Sequence, residues 1–190
     1  MRLPHSDTLV FFGATGDLVY KKIFPALYAM ERRGHLKVPV IGVARSDWTI
    51  EKFRARALAS VKKQDGFDAT VFAKFQKRLR YISGDYSAAA THAALRKELG
   101  KAAHPLHFLA IPPSVFAGVI KGLGQSGCAR GARIIAKAAN AAMACIWKSA
   151  SFIGRGPFAV VSLNLRQRVF NSYVHVSILA ASMALSIGQN

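Results

Sequence analysis

The stretch Thr8–Leu18, TLVFFGATGDL, decides the fold class of this chain. It begins with an apolar run of strand length and passes at once into a turn that contains two glycines. The residues that follow repeat apolar side chains at the spacing of one helix face, at Val19, Ile23, Leu27 and Met30. A strand, a tight turn and a helix in this order predict the first half of a parallel β-α-β unit.

Pro25 conflicts with a single smooth helix after this turn. Proline lacks a backbone N–H and its ring crowds the preceding turn of a helix, so we expect a kink or a split after the first turns. Arg32 and Arg33 precede Gly34, and basic residues followed by glycine are typical of a helix end. The helix is therefore predicted to stop before Gly34.

The chain up to Ile135 continues to alternate between strand and helix patterns. Further strands are predicted at Val38–Ala44, Arg80–Ser83, Leu106–Ile111 and Ala132–Ile135. Helices are predicted at Ser46–Val61, which a polar cap opens, and at Thr70–Leu79, Ser87–Leu99 and Ser114–Leu123. This alternation predicts an α/β fold with a doubly wound, mostly parallel sheet.

The turn after the first strand has the features of a phosphate site. Gly13 and Gly16 allow backbone conformations with positive φ and a close approach of a ligand. The helix that follows offers free N–H groups and the positive end of its dipole. The spacing is G-x-x-G and not the G-x-G-x-x-G of dinucleotide-binding folds, so a purely structural turn stays open as an alternative.

The end of the second strand bears on which dinucleotide would bind. Enzymes that prefer NAD usually place an acidic residue there to bond the ribose 2′-hydroxyl, whereas this chain places Arg45 and Ser46 first. A guanidinium forms paired hydrogen bonds with a 2′-phosphate, which favours NADP. Asp47 lies two residues beyond Arg45 and would favour NAD, and Arg45 could also be a solvated loop cation.

The composition is that of a globular protein, with 52% hydrophobic and 19% charged residues among 190. Lysine and arginine total 27 against 9 acidic residues, a formal net charge of +18. Residues 99–190 hold 9 of the basic residues and no acidic one, where average usage would place about 11 acids. The charge thus reflects a lack of acids without a dense basic cluster, so we expect neither a nucleic-acid nor a membrane partner.

Cysteine use and the amino-terminal residues favour a cytoplasmic protein without a metal site. Cys128 and Cys145 are too few for a disulfide framework, and no cysteine–histidine group has the spacing of zinc ligands. The apolar run within the first strand is too short for a secretory signal. We therefore expect a cytoplasmic location and no metal.

Five segments in the same order resemble the coenzyme domain of glucose-6-phosphate dehydrogenases. They are FFGATGDLVYKKIFPALY, IGVARSDWT, YISGDY, FLAIPPSVF and GARII, and together they span about two thirds of the chain. The resemblance implies a Rossmann-like domain with NADP as its cofactor. It also implies a family that oxidises glucose 6-phosphate to 6-phosphogluconolactone in the pentose phosphate pathway.

The resemblance assigns coenzyme contacts residue by residue. The pyrophosphate would lie on the turn formed by Gly13, Ala14, Thr15, Gly16, Asp17 and Leu18. The 2′-phosphate would meet Arg45, the adenine would meet Asp85 and Tyr86, and the nicotinamide would lie on Pro112 and Pro113, with Lys22 on the nicotinamide or substrate side. Phe116 takes a place where many members of the family carry tyrosine. Structural roles stay open as well: a core aromatic for Tyr86 and Phe116, a solvated lysine for Lys22, and a dipole partner for Asp17.

The resemblance ends after Ile135. The family continues V-E-K-P where this chain reads AKAAN, with Lys137 one residue early, and the family's R-I-D-H-Y-L-G-K-E segment is absent. We therefore assign no catalytic residue and divide the chain into a coenzyme domain at 1–135 and an aberrant tail at 136–190. A segment of that length should carry about 7 acids and has none, so we expect a frame-shifted, otherwise replaced or disordered tail.

These observations predict the NADP-binding domain of a glucose-6-phosphate dehydrogenase. We expect the chain to be truncated and inactive alone, because the catalytic segment, the sugar-phosphate domain and the family's oligomer contacts are missing. Glucose 6-phosphate would be a partner only in the full-length family. A non-catalytic nucleotide-binding remnant, a basic nucleic-acid or membrane-surface protein and a different NADP reductase on the same sheet remain alternatives.

Overall fold

The computed structural model describes residues 5–136 together with two short strands at 163–164 and 175–176. The tail that the sequence predicts at 136–190, including Lys137 and Cys145, otherwise lies outside the described residues. Its proposed frameshift or disorder therefore stays a prediction.

Five parallel strands form the sheet that carries the rest of the structure. They are β1 (Thr8–Phe12), β2 (Val40–Ala44), β3 (Leu79–Ser83), β4 (Pro105–Leu109) and β5 (Arg133–Ala136). Their order is β3-β2-β1-β4-β5, and every neighbouring pair among them is parallel. Beyond β5 the sheet continues with β7 (His175–Val176) and then β6 (Leu163–Asn164), which pairs with β7 in the antiparallel sense.

The strands are joined by helices, as the alternating pattern predicts. They are α1 (Phe24–Arg32), α2 (Ile50–Val61), α3 (Ala69–Arg78), α4 (Ala89–Leu99) and α5 (Phe116–Gln125). A π-helical turn at Val19–Ile23 precedes α1, and a 3₁₀ turn at Pro113–Val115 precedes α5. Pro25 lies in the first turn of α1, and Ile23 and Phe24 keep helical backbone angles, so the helix is continuous and the predicted split does not occur. The hydrogen-bond pattern changes from π to α just before the proline, where its missing N–H is tolerated.

The start of α2 differs from the prediction. The helix begins at Ile50, because the hydroxyl of Thr49 accepts the backbone N–H of Lys52 at 3.4 Å and caps it. Ser46, the cap that the sequence suggested, lies in the loop between β2 and α2 instead. This leaves residues 45–49 as a connection that runs over the carboxyl ends of the strands.

Apolar side chains cover both faces of the sheet. On one face α1, α2 and α3 contribute Phe24, Phe53 and Phe75 to a core that includes Phe11 of β1. On the other face α4 and α5 pack Leu95, Val119 and Leu123 against β1 and β4. The chain crosses from the first face to the second between β3 and β4, so β1 and β4 border the switch point where such sheets bind ligands.

Residues 5–136 contain neither a membrane-spanning helix nor a cluster of metal ligands. No helix in this part of the chain is both long and apolar enough to cross a bilayer. The same residues hold no group of three histidine, cysteine, aspartate or glutamate side chains placed to bind a metal ion. Cys128 is a buried free thiol.

Candidate functional site

The turn after β1 is built on Gly13. This residue has φ +83°, and a Cβ there would lie 2.3 Å from the carbonyl oxygen of Ala110 at the end of β4. The N–H groups of Gly13 and Ala14 both donate to the carbonyl of Val43, at 2.9 and 3.2 Å. Only glycine fits this position, and the turn is fixed between the ends of β2 and β4.

The rest of the turn leads into a helix start without a side-chain cap. The Gly16 N–H donates to the Gly13 carbonyl at 2.9 Å, and the helix begins at Asp17, so the residue before it is a glycine without a side chain that could cap it. Gly16 and Asp17 are exposed at this point. Because the first amides of a helix lack intrahelical acceptors, the turn presents N–H groups and a positive dipole end to an anion.

Asp17 places one carboxylate at this helix start. Its oxygens lie 2.8 Å from the Lys21 amine and 3.9 Å from the Arg56 guanidinium. The hydrogen bond from Lys21 and its charge lower the pKa of Asp17, which is nevertheless highly exposed. The neighbouring Lys22 is exposed as well.

The loop after β2 meets the turn after β1. The hydroxyl groups of Thr15 and Ser46 are hydrogen-bonded at 3.0 Å. Arg45 is exposed, and its guanidinium lies 5.7 Å from the centre of the Tyr86 ring. The structure thus brings Thr15 beside Ser46 and Arg45 beside Tyr86, although the sequence separates each pair by more than 30 positions.

Asp85 and Tyr86 follow β3 at the same edge of the sheet. The Tyr86 ring packs edge-on against Phe12, with the ring centres 6.1 Å apart. Burial raises the pKa of Tyr86, and the Arg45 charge opposes that rise. Asp85 accepts the backbone N–H of Ser87 at 2.7 Å, which together with the Ser87 hydroxyl lowers the pKa of the carboxyl.

Pro112 and Pro113 lie on the opposite side of β1 from Arg45, because β1 separates β2 from β4. The Ala110 N–H donates to the Phe12 carbonyl at 2.9 Å and holds the end of β4 against β1. Both prolines are exposed. Phe116 behind them is buried in the core, as its structural alternative predicts.

Two features of the site have no counterpart in the sequence predictions. Tyr81 and Ser83 donate their hydroxyl groups to the Ser46 carbonyl, at 2.6 and 3.1 Å. Buried His92 lies with Nε2 2.8 Å from the Tyr86 carbonyl. Spacing alone places Tyr81 and Ser83 on one face of a strand, since side chains alternate, but the acceptor they share lies far away in sequence.

Comparisons with known proteins give the same family on two grounds. The family model described as "Glucose-6-phosphate dehydrogenase, NAD binding domain" matches residues 10–137. The chain is 36% identical over 129 residues to glucose-6-phosphate 1-dehydrogenase 1 of Mycobacterium bovis, covering 68% of this chain and 28% of that protein. The Saccharomyces cerevisiae glucose-6-phosphate 1-dehydrogenase is 38% identical over 133 residues, covering 64% of this chain and 26% of that protein.

Solved structures agree with the fold described above. The crystal structure of glucose-6-phosphate 1-dehydrogenase from Mycobacterium avium superposes with a TM-score of 0.68 at 38% identity, covering 71% of this chain and 30% of that one. A glucose-6-phosphate dehydrogenase in complex with glucose-6-phosphate gives a TM-score of 0.63 at 30% identity, with 71% and 31% covered. From its matched residues 10–137, this chain belongs to the glucose-6-phosphate dehydrogenase family through its NAD binding domain.

Proposed function

We propose that this chain binds NADP across the carboxyl edge of its sheet, as the coenzyme-binding part of a glucose-6-phosphate dehydrogenase. The observation that carries the proposal is the Gly13 turn, with its uncapped helix start, beside the loop that carries Arg45. In the whole enzyme the reaction would be oxidation of glucose 6-phosphate to 6-phosphogluconolactone. The nicotinamide, when bound, would accept the hydride.

The pyrophosphate would rest on residues 13–18. A side chain at Gly13 would collide with the Ala110 carbonyl, so only glycine lets the turn lie this close to the end of β4. The exposed start of the helix supplies N–H donors for phosphate oxygens. Lys21 and Arg56 offset the negative charge of Asp17, which would otherwise repel the phosphates.

The 2′-phosphate would be held by Arg45. A guanidinium offers a planar set of donors that matches phosphate oxygens in pairs. The hydroxyl groups of Thr15 and Ser46 lie at the same junction, and the one that does not donate to the other would donate a further hydrogen bond. Asp47 is the competing feature, because a carboxylate in this loop would suit the ribose hydroxyl of NAD.

The two ends of the coenzyme would occupy opposite sides of β1. Asp85 and Tyr86 would border the adenine, where the Tyr86 ring already lies near the Arg45 guanidinium. Pro112 and Pro113 would form the floor beneath the nicotinamide, and Lys22 would face the nicotinamide or the sugar substrate. These rigid prolines would orient the ring without adding charge.

Calorimetric titration of NADP and NAD tests the proposal. The Arg45→Ala variant is expected to bind NADP about 10- to 100-fold more weakly, because it loses charged hydrogen bonds, while its affinity for NAD stays unchanged. Arg33→Ala removes the same charge from an exposed residue that follows α1 at the other end of that helix, and it should change neither affinity. Equal affinity of the Arg45→Ala and wild-type chains for NADP would contradict the assignment.

We further propose that this chain alone does not turn over glucose 6-phosphate. Removing the sugar hydroxyl proton needs a base beside that hydroxyl, and the sequence lacks the R-I-D-H-Y-L-G-K-E segment that the resemblance leads one to expect. Two of the described histidines, His92 and His107, are buried in the core. The expected result is no glucose 6-phosphate-dependent NADPH formation by the purified chain. A measurable rate that scales with protein concentration would overturn this expectation.

A further inference from the structure

We infer that Tyr81 and Ser83 are positioning residues for coenzyme specificity. Their hydroxyl groups hold in place the loop from which Arg45 extends. The inference rests on the proposed binding of NADP. Neither residue is expected to touch the coenzyme itself. Both act on the backbone of Ser46, which follows Arg45 directly in the chain.

The Ser46 carbonyl is the centre of this arrangement. It accepts hydrogen bonds from the Tyr81 hydroxyl at 2.6 Å, from the Ser83 hydroxyl at 3.1 Å and from the Trp48 N–H at 2.9 Å. A carbonyl oxygen has two lone pairs, so three donors saturate it. The middle of the connection between β2 and α2 is therefore tied to β3.

The residues on both sides of Arg45 are fixed. Before it, the Ala44 carbonyl accepts the Gly84 N–H at 2.9 Å. After it, the Ser46 carbonyl is held by β3, and the Ser46 hydroxyl bonds that of Thr15 in the turn after β1. The backbone of Arg45 is thus confined between two anchored residues, and only its side chain remains free to reach a ligand.

The packing of Tyr81 keeps its hydroxyl in place. The ring centre lies 4.9 Å from that of Phe53 and 6.5 Å from that of Trp48, with which it is stacked. Burial raises the pKa of Tyr81 to about 12, so the phenol stays protonated and remains a donor at neutral pH. A donor held by two aromatic neighbours orders the loop before any ligand arrives.

This arrangement matters most for the ligand that needs Arg45. A loop that is ordered in advance loses less conformational entropy when its arginine binds a phosphate. NAD lacks the 2′-phosphate and gains nothing from that order. Removing the two hydroxyl groups should therefore weaken NADP binding selectively.

The test is calorimetric titration of NADP and NAD into the full chain with Tyr81→Phe, Ser83→Ala and the double variant. Phenylalanine keeps the aromatic packing of Tyr81, and Ser83 is exposed, so both variants should fold. Tyr28→Phe is the matched control, because its hydroxyl bonds the Asp68 backbone between α1 and α3. We expect the double variant to bind NADP about 3- to 10-fold more weakly with NAD affinity unchanged, and the control to match the wild type.

Two results would overturn the inference alone: NADP affinity equal to that of the wild type in the double variant, or an equal loss for NADP and NAD. The second would mean that the hydroxyl groups only support the fold. Failure of the wild-type chain to bind NADP at all would instead overturn the proposed function, and this inference with it.

Discussion

Two groups of polar side chains lie on opposite sides of β1. The group around Ser46 ties a surface loop to the sheet, whereas the group around His107 joins buried elements of the core. The edge group, which comprises Thr15, Ser46, Tyr81 and Ser83, lies at the carboxyl ends of β1, β2 and β3. The core group comprises the side chains of His107 and Cys128, which are buried among β4, α4 and the segment after α5. Similar chemistry thus orders a surface loop in one place and joins core elements in the other.

The core group binds backbone carbonyls inside the protein. The Nε2 atom of His107 donates to the Cys128 carbonyl at 2.9 Å within the core, whereas that of His92 donates to the Tyr86 carbonyl at 2.8 Å beside the site. Carbonyl oxygens only accept, so both Nε2 atoms carry a proton. His107 therefore joins elements of the core, whereas His92 and the hydroxyl groups at the carboxyl ends of the strands support residues of the proposed site.

The largest effect is expected from Gly13→Ala, which changes the turn after β1, between the edge group and the core group. Its Cβ would meet the Ala110 carbonyl and its φ is positive, so we expect about 3–5 kcal/mol less unfolding free energy and no detectable NADP binding. Gly34→Ala has a positive φ too but nothing within 4 Å of its Cβ, and it should lose only about 1 kcal/mol. Denaturant unfolding of both variants gives the comparison, and equal losses would refute the role of the close contact.

The core group should make stability depend on pH. Burial lowers the pKa of His107 to about 4, below the 6.5 of an exposed histidine. The unfolded chain therefore binds the proton first, and stability present above pH 6.5 falls by about 3 kcal/mol as the pH drops towards 4. Between these pH values the melting temperature of His107→Gln should depend less on pH than that of the wild type. The His35→Gln variant, which changes an exposed histidine, should keep the pH dependence of the wild type.

The His107→Gln variant also tests whether the core group affects coenzyme binding. Its affinity for NADP at pH 7.5, well above the histidine transition, should match that of the wild type, because His107 contacts the Cys128 carbonyl and not the edge group. A loss of NADP affinity in a variant that remains folded would show that the two groups are coupled.

The smallest effect on stability is expected in the edge group. Ser46→Ala removes the hydrogen bond to Thr15, so we expect at most about 1 kcal/mol less unfolding free energy but about threefold weaker NADP binding. Ser126→Ala is the control, since its hydroxyl bonds the Leu123 carbonyl at 3.3 Å on the core side. If Ser126→Ala weakened NADP binding equally, the separation of the two groups would be lost.

Most of the fold could be predicted from patterns that are local in the sequence. The strand before Gly13 and the periodic side chains after it are contiguous in the sequence. Pro25 marks the place where the helix changes from π to α, although the helix is not split there. The predicted start of α2 was wrong, because serine is at least as good a helix cap as threonine in isolation and only the structure shows that Thr49 is used.

The supporting contacts of the site could not be predicted in the same way. Tyr81 and Ser46 are 35 positions apart, and their hydrogen bond exists only because β3 lies beside β2. The same holds for His92, whose ring needs Gly122 of α5, since a Cβ there would lie 2.1 Å from Nε2. Contacts of this kind depend on strand order and helix packing, which periodicity does not encode.

The most direct test of the proposed 2′-phosphate site compares two ligands that contain the adenosine part of NADP and lack the nicotinamide. Adenosine 2′,5′-bisphosphate and adenosine 5′-monophosphate differ only in the 2′-phosphate, so calorimetric titration of both isolates the contribution of Arg45. We expect the bisphosphate to bind the wild-type chain at least about tenfold more tightly, and Arg45→Ala to remove most of that difference. Equal affinity of the wild-type chain for the two ligands would contradict the proposed site.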